Sequence, residues 1–280
     1  VEDQSAVSPR QPMGWDPSWP SVDLLSILRK ELGPSQRLAY LPQLGGGPQT
    51  GQSRLGGPPL LADGQSWPCC GDCQRPLTVV LQLRLQDLPA QIWPDSGWLQ
   101  FFYCDHPQCP CPNAWEASAK NRYLAVQKEP LTAAPSAAGP DSDRAEGRAI
   151  VGWQEIVDYS LEQRSLLLQA WAGSWVDDLD APEFQEWYPG YLEHLGLKAE
   201  QLPEVAGYMR TEAGDKLCGW PVFSQDLVEP KCPDCGESMA LIFQLNNETG
   251  HFPQLFAADG NGHIFGCARH NQLAFTWACG

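Results

Sequence analysis

The sequence predicts an α+β fold with an internal duplication: two pseudo-symmetric repeats, each with an antiparallel sheet. Three observations lead there. First, the run from Arg54 to Leu83 returns in register, without a gap, 162 positions later as Lys216 to Leu245. Each copy opens on a small-residue turn, Leu55-Gly56-Gly57-Pro58-Pro59 and Leu217-Cys218-Gly219-Trp220-Pro221. A C-x-x-C pair follows, Cys70 with Cys73 and Cys232 with Cys235. Both copies close on an apolar run, Thr78 to Leu83 and Ala240 to Leu245. A matched turn, cysteine pair and strand at one offset is the signature of a repeated unit. Second, 26 Gly, 26 Pro and 12 Trp in 280 residues favour short strands and irregular connections over long helices. Third, the stretch from Val151 to Met209 offers Trp153, Ile156, Leu161, Leu166, Trp171 and Trp175 for burial along helical turns, which supplies the α part.

Taken in order, residues 1–53 form an N-terminal extension with one helix. Residues 1–20 are rich in Pro and Trp without periodicity and wrap the surface. The helix starts at Ser21, a good N-cap, puts Leu24, Leu25, Leu28 and Leu32 on one face and stops at Gly33-Pro34. A short strand near Leu38 to Leu41 precedes a Gly-rich loop, Gly45 to Gly51, which lacks the Lys-Ser/Thr ending of a phosphate-binding loop. The first repeat spans 54–127, with strands at Thr78 to Leu85 and at Trp98 to Tyr103, the latter running into Cys104. Residues 128–150 are an Ala/Pro/Ser-rich linker, since the composition of Pro130 to Gly147 cannot bury much. Residues 151–280 hold the helical insert and the second repeat, where His263 to Cys267 mirrors the strand that ends at Cys104.

The cysteines carry the strongest chemical signal. Zinc prefers four tetrahedral sulfur and nitrogen ligands, and two knuckles of C-x-x-C or C-x-x-H type deliver them from neighbouring turns. In the second repeat Cys232 with Cys235 and Cys267 with His270 make such a set. In the first repeat Cys70, Cys73 and Cys104 give three thiolates; the fourth ligand is open among Cys109, Cys111 and His106, with Cys109 the choice. The spacing from the first knuckle cysteine to the strand-end cysteine agrees to one residue, Cys70 to Cys104 against Cys232 to Cys267. The expectation is therefore one or two structural zinc ions in zinc-ribbon-like knuckles. Closed four-ligand sites leave no position for an activated water. A redox thiol at a helix N-terminus is disfavoured because both C-x-x-C pairs precede strand-like runs. The bland reading is that the cysteines are buried small hydrophobes.

No hydrolase elbow, metalloprotease helix, phosphate-binding loop or dinucleotide fingerprint is present. His251 and His263 lie near Asp259 in sequence, an acid-base pair in outline, although a histidine beside a turn is more often surface decoration. Gln82 and Gln244 recur inside the apolar runs, where an amide must bridge backbone groups. The formal net charge is -16, and 16 acidic against 5 basic residues fall between Asp141 and Asp215. Such a field repels nucleic-acid phosphates and attracts basic proteins, or simply keeps a tryptophan-rich chain in solution. Trp153, Trp171, Trp175, Trp187, Tyr188 and Tyr191 share that acidic segment, placed either to capture peptide or to form the core. No run of apolar residues is long enough to span a membrane, and no secretory signal is visible; a leader removed before Val1 stays open. The cysteine spacing points to a reducing cytoplasm.

Ser53 to Pro59, Trp67-Pro68, Gly97 to Tyr103, Val151-Gly152-Trp153, Gly214 to Pro221 and Cys232 to Gly236 together resemble the YwqG-like family of bacterial proteins of unknown function, over most of residues 50–280. More distantly the pattern is similar to the eukaryotic programmed cell death protein 2 group, which implies a dedicated chaperone of a ribosomal protein. The chain departs from the family where its usual Gly-Gly is Cys218-Gly219, and some members lack the cysteines. The expected function is a non-catalytic module that binds a basic protein partner. The alternatives are an enzyme with Asp215, Lys216 or His263 in a cleft between repeats, and an immunity protein of a toxin system. Partner identity and oligomeric state are not legible.

Overall fold

The apolar runs that recur in the sequence become the central strands of a sheet. The structure, a computed structural model, describes residues 23–111, 114, 116, 119–133, 147–160, 163, 196–209, 214–223, 229–247, 251, 255, 256 and 260–279. It divides into two units, residues 1–37 with 157–212 and residues 38–156 with 213–280. Twelve strands are described: β1 (Arg37–Leu44), β2 (Arg54–Leu55), β3 (Leu60–Leu61), β4 (Thr78–Arg84), β5 (Trp98–Tyr103), β6 (Arg122–Gln127), β7 (Thr132–Ala133), β8 (Arg148–Asp158), β9 (Lys216–Cys218), β10 (Ala240–Asn246), β11 (Asn261–Cys267) and β12 (Gln272–Ala278). Among the described residues two α-helices have full ranges, α1 (Leu24–Glu31) and α2 (Leu202–Met209).

The expected α+β fold of two repeats is overturned. The described residues are mostly β, and ten of the strands form one nearly closed, barrel-like sheet in the order β12-β11-β10-β9-β1-β8-β2-β4-β5-β6. The two matched runs supply strands to that single sheet rather than two modules. The reason is the pair of strands outside the repeated run. β9 pairs with β1 (Tyr40 opposite Leu217), β8 pairs with β2 (Arg54 opposite Ala149), and β1 adjoins β8. Both inner edges, each a row of unpaired backbone groups, are thereby satisfied. The two short strands β3 and β7 pair separately.

A second correction concerns the expected helical stretch from Val151. Residues Arg148–Asp158 form the longest strand, β8, and its β-branched Ile150, Val151, Ile156 and Val157 explain why. Among the described residues beyond β8, Gln163 and α2 are α-helical; Leu161, Leu166, Trp171 and Trp175 lie outside the described residues. The N-terminal helix also shifts. Its cap is Asp23, whose carboxylate accepts from the Ser26 N–H at 3.1 Å and the Ser26 hydroxyl at 2.6 Å. Leu24, Leu25 and Leu28 are buried as its spacing required. Residues 1–22, with the expected surface wrap and Ser21, lie outside the described residues. Within the same unit, Arg29 forks onto the Glu204 carboxylate of α2, both contacts at 2.7 Å.

The sheet closes around an aromatic and aliphatic core. Leu81, Leu83, Leu99, Phe101, Leu217, Phe243, Leu245 and Ile264 are at most 2 % exposed. Phe101 and Phe275 stack with ring centres 4.4 Å apart, and Tyr103 meets Phe256 edge-on at 5.4 Å. Gly262 makes this packing possible, since a Cβ there would lie 2.6 Å from the Phe256 ring. Burying side chains of this size stabilises by roughly 1.5–3 kcal/mol each. Both apolar runs carry a register shift at the same place, between Val79 and Leu81 and between Leu241 and Phe243. The bulge buries neighbours in sequence, Val80 with Leu81 and Ile242 with Phe243, which plain alternation would place on opposite faces.

The two ends of the sheet, β6 and β12, face each other without pairing. A side chain spans them instead: Arg122 donates from Nη1 to the Phe275 carbonyl at 2.9 Å and lies over that ring, 4.9 Å from its centre. No helix among the described residues is long and apolar enough to cross a membrane.

Candidate metal centres

Each C-x-x-C pair sits on a tight knuckle at the mouth of a central strand. In the first, Cys69 and Pro76 form an isolated bridge; the Cys70 N–H donates to the Arg75 carbonyl at 2.8 Å and the Gln74 N–H to the Cys70 carbonyl at 2.9 Å. In the second, Lys231 bridges Ser238, the Cys232 N–H donates to the Glu237 carbonyl and the Gly236 N–H to the Cys232 carbonyl, both at 2.8 Å. The turn needs a left-handed residue, Gly236 at φ 75° and Gln74 at φ 61°. Backbone N–H groups are left aimed at sulfur. Burial pushes the Cys232 thiol up, but the N–H groups of Cys235 and Asp234, with the neighbouring thiols, outweigh it and bring it down to about 7.

The second centre is completed by the β11–β12 hairpin. Cys267 ends β11, and its carbonyl accepts from the His270 N–H at 3.2 Å, which turns the imidazole back toward the knuckle. The donor atoms of Cys232, Cys235, Cys267 and His270 all lie within 4.8 Å of one another. His270 Nδ1 is 3.7 Å from Cys232 Sγ and 3.5 Å from Cys267 Sγ. Phe265, Met239 and Leu241 pack beneath the group.

In the first centre five sulfurs gather. Cys70, Cys104, Cys109 and Cys111 lie within 4.8 Å of one another. Cys73 is outside that quartet but only 3.8 Å from Cys104, while Cys70 and Cys109 are 3.7 Å apart. Cys109 and Cys111 are joined as a disulfide, and a sulfur so joined is spent as a thiolate donor. Reduction of that bond frees both, so either can complete a set with Cys70, Cys73 and Cys104. His106, the other candidate, is engaged with Arg75 and the Gln108 N–H and is not among the grouped donors. Burial pushes the Cys104 thiol up to about 12. Both groups are able to hold a metal ion.

Other residues singled out in the sequence have structural engagements. Gln82 accepts from the Leu60 N–H at 2.8 Å and donates to the Pro58 carbonyl; Gln244 accepts from the Val222 N–H at 2.8 Å and donates to the Gly214 carbonyl. Each amide thus ties the small-residue turn to its strand. Asp215 accepts the N–H groups of Asn246 and His251, and burial raises its carboxyl to about 6. His263 is buried with Nε2 2.9 Å from the Val222 carbonyl; burial, with Lys216 nearby, depresses it to about 3. Lys216 is buried. Trp153 is half-buried against the core. Trp171, Trp175, Trp187, Tyr188, Tyr191 and Asp259 lie outside the described residues.

Three features had no sequence signal. They are the arginine spanning the two sheet ends, the acidic cap at Asp215, and a cleft of about 500 Å³ between Leu124–Lys128 and Asn271–Leu273. All depend on which distant strands meet. The model of a family described as a domain of unknown function (DUF1963) matches residues 53–268, which contain every grouped donor except His270. No curated protein matches the chain.

Proposed function

We propose that this chain, which belongs to the DUF1963 family, uses structural zinc to fix the hairpin ends of its sheet and presents that stiffened body to a basic protein partner, without catalysis. The observation that carries the zinc is the donor geometry at the second centre. A tetrahedral ion with bonds of about 2.3 Å to sulfur and 2.0–2.1 Å to nitrogen sets its sulfur and nitrogen ligands about 3.6 Å apart. The two separations there are 3.5 and 3.7 Å. The corresponding sulfur–sulfur edge is about 3.8 Å, against 3.7 and 3.8 Å in the first centre. Cys232, Cys235, Cys267 and His270 would hold one ion; Cys70, Cys73, Cys104 and one of Cys109 or Cys111 would hold the other. Zinc bound by four protein donors supplies folding energy and leaves no site for a reacting water. Loading both centres requires Cys109–Cys111 to be reduced, which suits a reducing, cytoplasmic setting.

The protein-binding reading draws on the net charge of -16 and on the resemblance to the programmed cell death protein 2 group, from which a ribosomal protein is the favoured partner. Asp215 and His263, two of the residues an enzyme would use, are occupied with backbone groups. The test is elemental analysis of the reduced protein together with native mass spectrometry of complexes taken from lysate at low and high salt. The expectation is two zinc ions per chain and a basic protein released by salt. Metal-free protein, or a zinc-loaded protein that retains no basic partner at low salt, would sink the corresponding half of the reading.

A further inference from the structure

We infer that the seam between β6 and β12 is a binding site for an extended polypeptide segment, which enters as an additional strand and pairs with the free edges of both. The inference rests on the protein-binding reading above and names its site.

Among the described residues β6 pairs only with β5, and β12 only with β11. Each presents one row of backbone N–H and C=O groups to the seam. Exposed edges are ordinarily protected by charge or proline. Here β12, Gln-Leu-Ala-Phe-Thr-Trp-Ala, has neither, and β6 has only Arg122 at its start. Every residue of β6 is half-buried.

Two buried side-chain atoms beside the seam, Arg122 Nε and Thr276 Oγ1, lack a partner among the described residues; they lie at its arginine end. At the other end the strands enclose the cleft of about 500 Å³, within the range of ligand pockets. Its walls are consecutive strand residues, Leu124, Ala125 and Val126 on one side and Gln272 and Leu273 on the other, with Trp93 also lining it. Asp95, Ser96, Lys128 and Asn271 complete the lining; an extended chain between two strand edges can pair its repeating N–H and C=O groups with both. An inserted strand needs a neighbour about 4.8 Å away on each side, so entry belongs at the cleft rather than where Arg122 spans the gap. Trp93, Leu124 and Leu273 select apolar side chains on the inward face. The protein's negative charge favours lysine or arginine on the outward one.

The test uses the full chain, reduced and zinc-loaded, and an acetylated, amidated heptapeptide alternating valine and lysine. A second peptide of the same sequence carries N-methyl groups on its valines, which keeps the charge and removes backbone donors. Fluorescence anisotropy should show the first binding at least 10-fold more tightly. Hydrogen exchange should slow at Leu124–Gln127 and Gln272–Leu273 when it is added. Equal affinity for the two peptides, no binding of either, or protection confined to other strands would overturn the seam site. Val126→Pro, at the non-hydrogen-bonded pair with Leu99 where the N–H faces the seam rather than β5, should weaken the first peptide by a similar factor while leaving zinc content unchanged. If a basic partner is known and this peptide fails to displace it, the seam site is overturned while the protein-binding reading stands. If no partner is found yet the peptide pairs in the seam, the site stands and the identity of the partner class is what fails.

Discussion

Replacing His263 with glutamine isolates what it takes to keep an imidazole neutral inside this fold. The ring is buried between Phe223 and Phe265, with centres 4.9 and 6.0 Å away, and donates from Nε2 to the Val222 carbonyl while Nδ1 has no partner among the described residues. Burial chiefly, and Lys216 secondarily, depress it from 6.5 to about 3. Between those two values the unfolded chain binds a proton that the folded chain refuses, so stability falls as pH falls through the window. At about 1.36 kcal/mol per unit the full effect is on the order of 5 kcal/mol, of which about 3 is expressed by pH 4. Asp215 works the other way. Its carboxyl, raised from 3.8 to about 6 by burial, holds a proton in the fold that the unfolded chain releases, so acidification through that window stabilises. The wild-type protein therefore hides part of the histidine effect. Glutamine keeps a donor for Val222 and removes the titration. Urea unfolding of both proteins from pH 8 to 4 should show a difference that is small and constant above pH 7, then grows in the variant's favour by about 3 kcal/mol at pH 4. A difference that stays flat across the range would refute the reasoning, since every other titrating group is common to both chains.

Chelation of the reduced protein should lower its thermal midpoint and free the hairpin at Cys267–His270, and Cys267→Ser should reduce bound zinc from two ions to one, read by elemental analysis. Gln82→Leu leaves the Leu60 N–H without its acceptor at a buried position, so a loss of about 1–3 kcal/mol in unfolding free energy is expected. Cys218 sits at φ 61° where the matching Gly56 sits at φ 68°; Cys218→Gly should relieve left-handed strain and raise stability by up to about 1 kcal/mol, measured by denaturant midpoint. Arg122→Met removes a half-buried guanidinium and its bonds to the Phe275 and Ala114 carbonyls. Faster amide exchange along β6 and β12 is expected, with a loss of about 1–3 kcal/mol.

What could be read from residue order was local. Alternation and apolar runs placed β4, β5, β10 and β11, and leucine spacing placed α1, because each depends on neighbours within a turn or two. The α-helical reading of β8 failed since Trp153 and Ile156 stand three apart, a helical interval, while four β-branched residues argued for extension. The separate-repeat reading failed for another reason. A duplicated run says nothing about what its edges meet, and here β1 and β8, which lie outside the run, join both copies into one sheet. Among the donors, spacing brought out Cys232, Cys235, Cys267 and His270 as a set. The first centre stayed ambiguous because Cys109 and Cys111, two residues apart, both reach it. The Gln82 and Gln244 amides were legible because a buried amide in a strand has to find backbone partners.

The position of β1 between β8 and β9 governs the order in which the polypeptide can assemble as it leaves the ribosome. Residues 37–44 precede both of their partners, residues 148–158 and 216–218, so the strand emerges with neither ladder formed and gains its second only when β9 has been made. Closure over such a sequence distance is slow. The nascent chain thus carries an open template during that interval, a span in which premature association with another molecule competes with maturation.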